Sequence, residues 1–187
     1  NFFLRFSTDN DNIEIKEFIK TTLFKIAQGG INDRLEGGFH RYTVDNLWHI
    51  PHFEKMLYDN AQLLSVFSKG YKVFKEPRFK EELYNIYDFL DLKMSSPTNL
   101  IYSSISADTN YKDGSKEEGD FYVWKKEELE QVLQQDYNWV SKYYNINEKG
   151  YWEKQNYVFI QTISDKDFAS SLNLNLNQFK EKLKSVN

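Results

Sequence analysis

The segment with the greatest chemical potential is GGINDRLEGGFHRYTVDNLWHIPHFEKMLYDN, residues 29–60. It holds all three histidines of the chain, four of its eight glycines and one of its three prolines. Its polar and apolar residues follow neither the helical nor the strand period. A loop of this composition that leads into a helix is a common way to line a pocket, so we take the segment as the candidate functional region.

Acid–base chemistry is the first possibility in this segment. His52, Lys55 and Asp59 would share one face of a helix predicted to begin just before them, with Glu54 on the adjacent face. The positive end of that helix would favour ionised carboxylates and a neutral imidazole. Neutral His52 could then accept a proton, with Glu54 as its partner or as a separate acid–base group. His40 is the second candidate imidazole.

The same residue types allow more than one reaction. Two imidazoles on opposite sides of a ring-opened sugar would suit epimerisation, in which a proton leaves one face and returns to the other. Two carboxylates would suit glycoside hydrolysis. The carboxylates that could take part are Asp45, Glu54, Asp59 and Asp108. A metal site is not expected, because neither an HxH nor an HExxH spacing occurs.

A structural interpretation competes with the catalytic one. The polar cluster could be a buried network that ties loops together, with Arg41 paired to Asp45 or to Glu54. His49 is better interpreted as a residue at the rim. The Gly29-Gly30 and Gly37-Gly38 pairs match no phosphate-binding motif and are expected to serve turns and close packing.

Aromatic side chains in the segment could form a stacking platform for a sugar. The candidates are Phe39, Tyr42, Trp48 and Tyr58. Aromatic residues beside helical hairpins are more often part of the core, and Phe53 is expected there. The sequence alone leaves both uses of these rings open.

Composition limits the class of protein. The 187 residues are enough for about one domain with a real core, and 40% of them are hydrophobic. A net charge of −4 argues against a nucleic-acid partner. The chain has no cysteine, which excludes disulfides, thiol catalysis and cysteine-ligated zinc. Without a long apolar run or a leader, we predict a cytoplasmic protein that does not engage a membrane.

Helices are predicted for most of the chain. One is expected over residues 12–28, where Gly29-Gly30 stops it. A second is expected from Pro51 to about residue 74, and a third over 78–94 after the break at Pro77. The short connection between the last two predicts an antiparallel helical hairpin.

The second half of the chain predicts shorter elements. Residues 95–119 are expected to be a long polar connection, which is usually functional or poorly ordered. Ser164 with Asp167, and Asn175 with Gln178, have the pattern of helix N-caps. The other predicted elements are an extended piece over 122–124, helices over 126–135 and 138–144, and a strand over 157–161.

Several motifs resemble the DUF255 family of thioredoxin domain-containing proteins (spermatogenesis-associated protein 20-like and YyaL-type). The longest runs over residues 29–63 and includes PHFEKMLYDN. The others, in the same order as in the family, are YSSISADT (102–109), EEGDFYVWKKEEL (117–129), YYNINEKGYWE (143–153) and NYVFI (156–160). The resemblance covers nearly the whole chain.

The resemblance implies an (α/α)6 toroid, related to sugar epimerases and six-hairpin glycosidases. It further implies that the chain corresponds to the early part of that toroid. A thioredoxin-like domain and the later helices of the ring would lie outside it. Helix faces left uncovered in such a piece lead us to expect a homodimer or domain swapping.

The function implied by the resemblance is a carbohydrate-handling module, epimerase-like or glycosidase-like, that needs no cofactor. Its catalytic set would be His40, His52 and Glu54. Its substrate-binding residues would be Arg41, Asp45, Trp48, Tyr58, Asp59 and Asp108. Ile105 and Ser106 stand where the family usually has acids, and Lys125 stands where it has a capping Thr. The loss of acids at Ile105 and Ser106 favours the competing hypothesis of a non-catalytic module that positions a thioredoxin-like domain on protein clients, whereas the retained histidine-rich loop favours the carbohydrate-handling module.

Overall fold

Helices make up most of the fold, and the strands are only two or three residues long. The computed structural model describes residues 2–10 and 12–186, and the prediction of a mostly α fold with short β pieces is confirmed. The chain divides into two units, residues 1–121 and 122–187. Whether these helices belong to an (α/α)6 toroid stays a prediction.

The first unit is built from four helices. They are α1 (Phe2–Asn10), α2 (Ile13–Gln28), α3 (Leu57–Phe74) and α4 (Pro77–Leu92). Helix α2 begins where the Asn12 side chain accepts a hydrogen bond from the backbone N–H of Ile15, and it ends at Gly29. Lys75, in the left-handed conformation, turns the chain between α3 and α4. The predicted helical hairpin is therefore confirmed.

Aromatic rings form the centre of the first unit. Phe67 and Phe79 are fully buried, with ring centroids 5.9 Å apart, and Phe24 lies 4.9 Å from Phe79. Phe39, from the loop after α2, is also fully buried and lies 5.6 Å from Phe67. The core therefore joins α2, the helical hairpin and the first part of the 29–60 segment.

A buried polar network joins the end of α2 to the start of α4. The side chains of Asn32, Arg34 and Arg78 all donate to the carbonyl oxygen of Ala27, over 3.0, 2.5 and 3.1 Å. Glu82, fully buried, accepts from Arg78 Nε over 2.6 Å and from Asn32 Nδ2 over 2.8 Å. The carbonyl groups of the last turn of a helix have no hydrogen-bond partner within the helix. The three side chains supply donors to one such carbonyl, that of Ala27.

The predicted helix start at Pro51 is wrong. Pro51–His52 forms strand β2, which pairs antiparallel with β1 (Tyr42–Thr43). Lys55–Met56 forms β3, paired with β4 (Ser104–Ile105). Helix α3 begins only at Leu57. Both strand partners lie outside the stretch that suggested a helix, so the local signal did not include them.

The helical face proposed for His52, Lys55 and Asp59 therefore does not exist. Extended backbone sends Lys55 into the interior, where its side chain is 1% exposed. Its Nζ donates to Asp33 Oδ2 over 2.6 Å and to the carbonyl of Gly37 over 2.7 Å. A buried ammonium needs such partners.

The glycine pair at 37–38 is used for turning and close packing, as predicted. Gly37 and Gly38 have φ angles of +80° and +72°, a region that other residues rarely adopt. A Cβ on Gly38 would overlap the ring of Phe89.

The polar connection at 95–119 contains paired strands, which the sequence did not predict. Besides β4, it forms a hairpin of β5 (Asp108–Asn110) and β6 (Lys116–Glu118). Asp113 caps the hairpin turn by accepting from the backbone N–H of Ser115. Short strands rich in polar residues give no alternation of hydrophobicity, so their pairing is not visible in the sequence.

The second unit contains four helices around another aromatic core. They are α5 (Lys126–Leu133), α6 (Tyr137–Tyr143), α7 (Asp165–Ser171) and α8 (Leu176–Lys184). Tyr143, Phe168 and Phe179 lie at its centre. Both predicted N-caps are confirmed: Ser164 accepts from Asp167, and Asn175 and Gln178 bond reciprocally.

The predicted strand at 157–161 is shorter and begins one residue earlier. Strand β8 (Asn156–Tyr157) pairs with β7 (Trp124–Lys125). Beyond it, the backbone N–H groups of Val158 and Ile160 donate to the carbonyls of Gly150 and Tyr144, and the buried Gln161 side chain donates to Tyr143 Oη and Asp165 Oδ1. The predicted extended piece at 122–124 is likewise only partly correct, since Asp120–Tyr122 is a 3-10 turn.

Among residues 2–10 and 12–186, no helix is long and apolar enough to cross a membrane.

Candidate functional site

His52 lies on the short β1–β2 ribbon of the first unit, between two carboxylates. Its Nδ1 is 2.7 Å from Glu118 Oε1 and its Nε2 is 3.8 Å from Glu54 Oε2. The register places Tyr42 opposite His52, and the two rings stack with centroids 5.2 Å apart. The His52 side chain is 27% exposed, so solutes can reach it.

Arg41 lies between Glu54, which is close to His52, and Asp59 at the start of α3. Its guanidinium lies 3.5 Å from Glu54 Oε2 and 3.9 Å from Asp59 Oδ2. The same group is 5.9 Å from the ring centres of both Tyr42 and Tyr58, within cation–π range. We call the seven residues Arg41, Tyr42, His52, Glu54, Tyr58, Asp59 and Glu118 the Arg41–His52 cluster.

Asp59 is a partly buried carboxyl of this cluster. Burial raises its pKa above the ordinary value, Arg41 opposes the shift, and the negative charge of Glu54 adds to it. A carboxyl with a raised pKa is suited to donate a proton, whereas an imidazole is suited to accept one. The cluster therefore places an imidazole and three carboxyl groups within one set of contacts.

His40 has the contacts of a buried structural group. Its side chain is within the interior, with Nδ1 2.8 Å from the carbonyl oxygen of Phe53. Burial first, and then the nearby Lys55 ammonium, lower the pKa of His40 to about 3. A catalytic role for His40 stays a prediction that this geometry does not favour.

Asp45 organises the loop between β1 and β2. It accepts hydrogen bonds from the backbone N–H groups of Leu47, His49 and Ile50, over 2.7, 3.2 and 2.6 Å. Burial alone would raise its pKa, but these donors outweigh burial and lower it. Of the two predicted partners of Arg41, the structure pairs it with Glu54.

Trp48 and Asp108 also lie apart from the Arg41–His52 cluster as defined by these contacts. Trp48 packs against the core of the first unit, and its carbonyl accepts from Gly30 N over 2.8 Å. Asp108 is exposed on β5, directly opposite Glu118 in the hairpin. Their predicted roles in substrate binding stay predictions.

Glu118 is the cluster residue that sequence reasoning missed. It is 66 positions from His52 in the chain and lies in the polar connection at 95–119, for which the sequence predicted no contact with His52. The one available signal was EEG at 117–119, in which a glycine follows the acid and permits a tight approach. Among the described residues 2–10 and 12–186, no group of three or more His, Asp or Glu is arranged to hold a metal ion.

Replacing His52 with alanine is expected to lower the free energy of unfolding by no more than about 1 kcal/mol. Ion pairs between exposed groups contribute about 0–1 kcal/mol, and the Glu118 side chain is 47% exposed. Urea titration of His52→Ala and Glu54→Gln beside the wild type measures this. A loss of more than about 2 kcal/mol in both variants would make the cluster a stabilising network.

The fold and this cluster define a mostly α protein that carries a partly exposed group of ionisable and aromatic side chains beside a helical hairpin. No family model matches the chain. The chain is 39% identical over 141 residues to an uncharacterised protein of Caenorhabditis elegans, with 71% of the chain aligned. It is 35% identical to mouse spermatogenesis-associated protein 20 over 134 residues, again 71% of the chain.

The rat spermatogenesis-associated protein 20 aligns over more of the chain, with 32% identity across 161 residues, or 80%. The chain belongs to the family of spermatogenesis-associated protein 20. It spans only 17–20% of the length of these relatives. Activities of the whole proteins are therefore a matter for proposal.

Proposed function

We propose that the chain is a carbohydrate-handling module whose acid–base groups are His52 and Glu54. The observation that carries this proposal is the Arg41–His52 cluster, where aromatic rings and proton-transfer groups share one accessible surface. Tyr42 and Tyr58 are 49% and 43% exposed, so a ligand can reach both rings from solvent.

The cluster's side chains suit a sugar in different ways. The faces of Tyr42 and Tyr58 can stack on the apolar side of a sugar ring, and the Arg41 guanidinium can donate to its hydroxyls. His52 can accept a proton, and Glu54, whose Oε2 lies 3.8 Å from His52 Nε2, can act as its acid–base partner. This pairing is suited to epimerase-like or glycosidase-like chemistry and needs no cofactor.

One observation favours a second candidate, a non-catalytic module that positions a thioredoxin-like domain on protein clients. Ile105, at a position usually acidic in the family pattern, lies in β4 and pairs with Lys55 of β3. Ser106 accepts from the backbone N–H of Asp108. The residues at both positions therefore stabilise the local backbone, and neither supplies a carboxyl group. The predicted homodimer and cytoplasmic location remain predictions.

A thermal-shift screen against monosaccharides and disaccharides tests the first proposal. A sugar at ten times its Kd should stabilise the protein by about 1.4 kcal/mol, which raises Tm by about 3–6 °C. Tyr42→Ala and Arg41→Ala should abolish the shift, because each removes a proposed contact with the sugar.

The matched control is Tyr87→Ala, which removes a similarly exposed tyrosine (56%) from α4. This variant should retain the full shift. If no sugar in a broad panel shifts Tm, or if Tyr42→Ala shifts as much as the wild type, the carbohydrate proposal is wrong. Specific binding of the same surface to an unfolded protein client would then support the second candidate.

A further inference from the structure

The β5–β6 hairpin brings the carboxylate of Glu118 to Nδ1 of His52. We propose that Glu118 is a positioning residue, which holds the neutral His52 ring with its proton on Nδ1 and leaves Nε2 as the proton-accepting atom. The inference deepens the proposed function, on which its catalytic meaning rests. The proton position itself can be measured independently of any substrate.

The hairpin fixes Glu118 through several contacts. The backbone N–H of Gly119 donates to the carbonyl of Ala107 over 2.9 Å, and that of Phe121 donates to Thr109 Oγ1 over 2.9 Å. Gly119 has a φ of +77° and lies so close to Phe53 that a Cβ would overlap the ring. Because residue 119 packs on residue 53, their neighbours Glu118 and His52 are brought together.

The chemistry of the contact determines where the proton lies. An ionised carboxylate only accepts hydrogen bonds, so at 2.7 Å from Glu118 Oε1 the Nδ1 atom of His52 must carry the hydrogen. The hydrogen bond at one ring nitrogen sets the state of the other. Nε2 of a neutral ring therefore holds the lone pair.

We infer that a substrate would meet the ring at its other nitrogen, Nε2. His52 Nε2 is 3.8 Å from Glu54 Oε2, beyond hydrogen-bonding distance. A sugar hydroxyl or carbon acid placed there could give its proton to Nε2. The imidazolium formed would lie between the carboxylates of Glu118 and Glu54, which stabilise the positive charge.

Nitrogen NMR of the imidazole rings tests the inference. Spectra of uniformly ¹⁵N-labelled protein are recorded at about pH 9, where ordinary histidines are neutral. The signals of His52 are identified by their loss in a His52→Gln variant. In the wild type, Nδ1 should be the protonated nitrogen and Nε2 the bare one.

Removing the acceptor should reverse this preference. In Glu118→Ala, the ratio of the Nδ1–H to the Nε2–H form should fall at least about tenfold, the size expected for loss of a charge-assisted hydrogen bond. Glu118→Gln, which keeps the shape and can still accept, should show a smaller fall. Glu17→Gln, an exposed substitution on α2, is the control and should leave the ratio unchanged.

The outcomes separate the two proposals. A wild-type ring protonated on Nε2, or a ratio unchanged in both Glu118 variants, overturns the positioning role even if a sugar binds. If the ratio changes as expected but no sugar binds, Glu118 still positions His52 and the carbohydrate proposal fails. Should Glu118→Ala not fold, the ratio in Glu118→Gln decides.

Discussion

Replacement of Lys55 by methionine is expected to cost about 3–5 kcal/mol of unfolding free energy, because it leaves the Asp33 carboxylate buried without its partner. The Lys55 and Asp33 side chains are 1% and 9% exposed. Burial alone would raise the pKa of Asp33, but the adjacent ammonium outweighs burial and lowers it, so the carboxylate stays charged. Urea unfolding of the variant measures the loss.

Lys93→Met is the matched control for this prediction. Lys93 pairs with Glu36, but their side chains are 46% and 38% exposed, so its removal should cost only about 0–1 kcal/mol. The double variant Lys55→Met, Asp33→Asn should recover part of the loss, since no buried charge then remains. Equal losses from Lys55→Met and Lys93→Met would show that the buried pair contributes nothing special.

Acidification is expected to destabilise the protein through His40. Its pKa is about 3 in the folded state, against about 6.5 in an unfolded chain. Between these values the unfolded chain binds more protons than the folded protein, so stability falls as pH decreases. The contribution is fully present above pH 6.5, and its loss approaches the order of 4 kcal/mol near pH 3.

His40→Asn isolates this contribution. An asparagine amide can still donate to the carbonyl of Phe53, but it does not titrate in this range. The difference between the stability profiles of the two proteins, measured by urea unfolding from pH 7.5 to pH 4, removes the effect of the carboxyls that they share. If the two profiles run parallel, the buried imidazole does not drive the acid sensitivity.

Apolar periodicity and helix-end residues in the sequence predicted the helices, because helix formation depends mainly on neighbouring residues. Part of the periodic apolar residues of α2 and α4, among them Leu23 and Ile86, face a core; an N-cap and a glycine bound α2, and a proline begins α4. The PHFEK stretch (residues 51–55) failed because its conformation depends on distant partners. Phe53 is 1% exposed, as expected, but Lys55 is also 1% exposed, whereas the predicted helix placed it on the polar face with His52 and Asp59.

The candidate site was predictable only in part. His52, Glu54, Arg41 and Asp59 lie close in sequence, so their proximity in the fold was foreseeable, although the helical face proposed for them was wrong. Glu118 was not foreseeable, because its contact with His52 depends on how the β5–β6 hairpin packs. His40 is buried whereas His52 is partly exposed. The path of the loop after Gly38 determines this difference, which the residue type alone could not predict.

The carbonyl of Ala27 accepts hydrogen bonds from side chains on both sides of the polar network, and this should affect how α2 and α4 unfold locally. Asn32 and Arg78 join the last turn of α2 to Glu82 on α4, so neither helix can separate without exposing a buried charge. Backbone amides of α2 and α4 should therefore exchange with deuterated solvent together, as one cooperative unit. Fraying at the C-terminal end of α2 would therefore also loosen the start of α4.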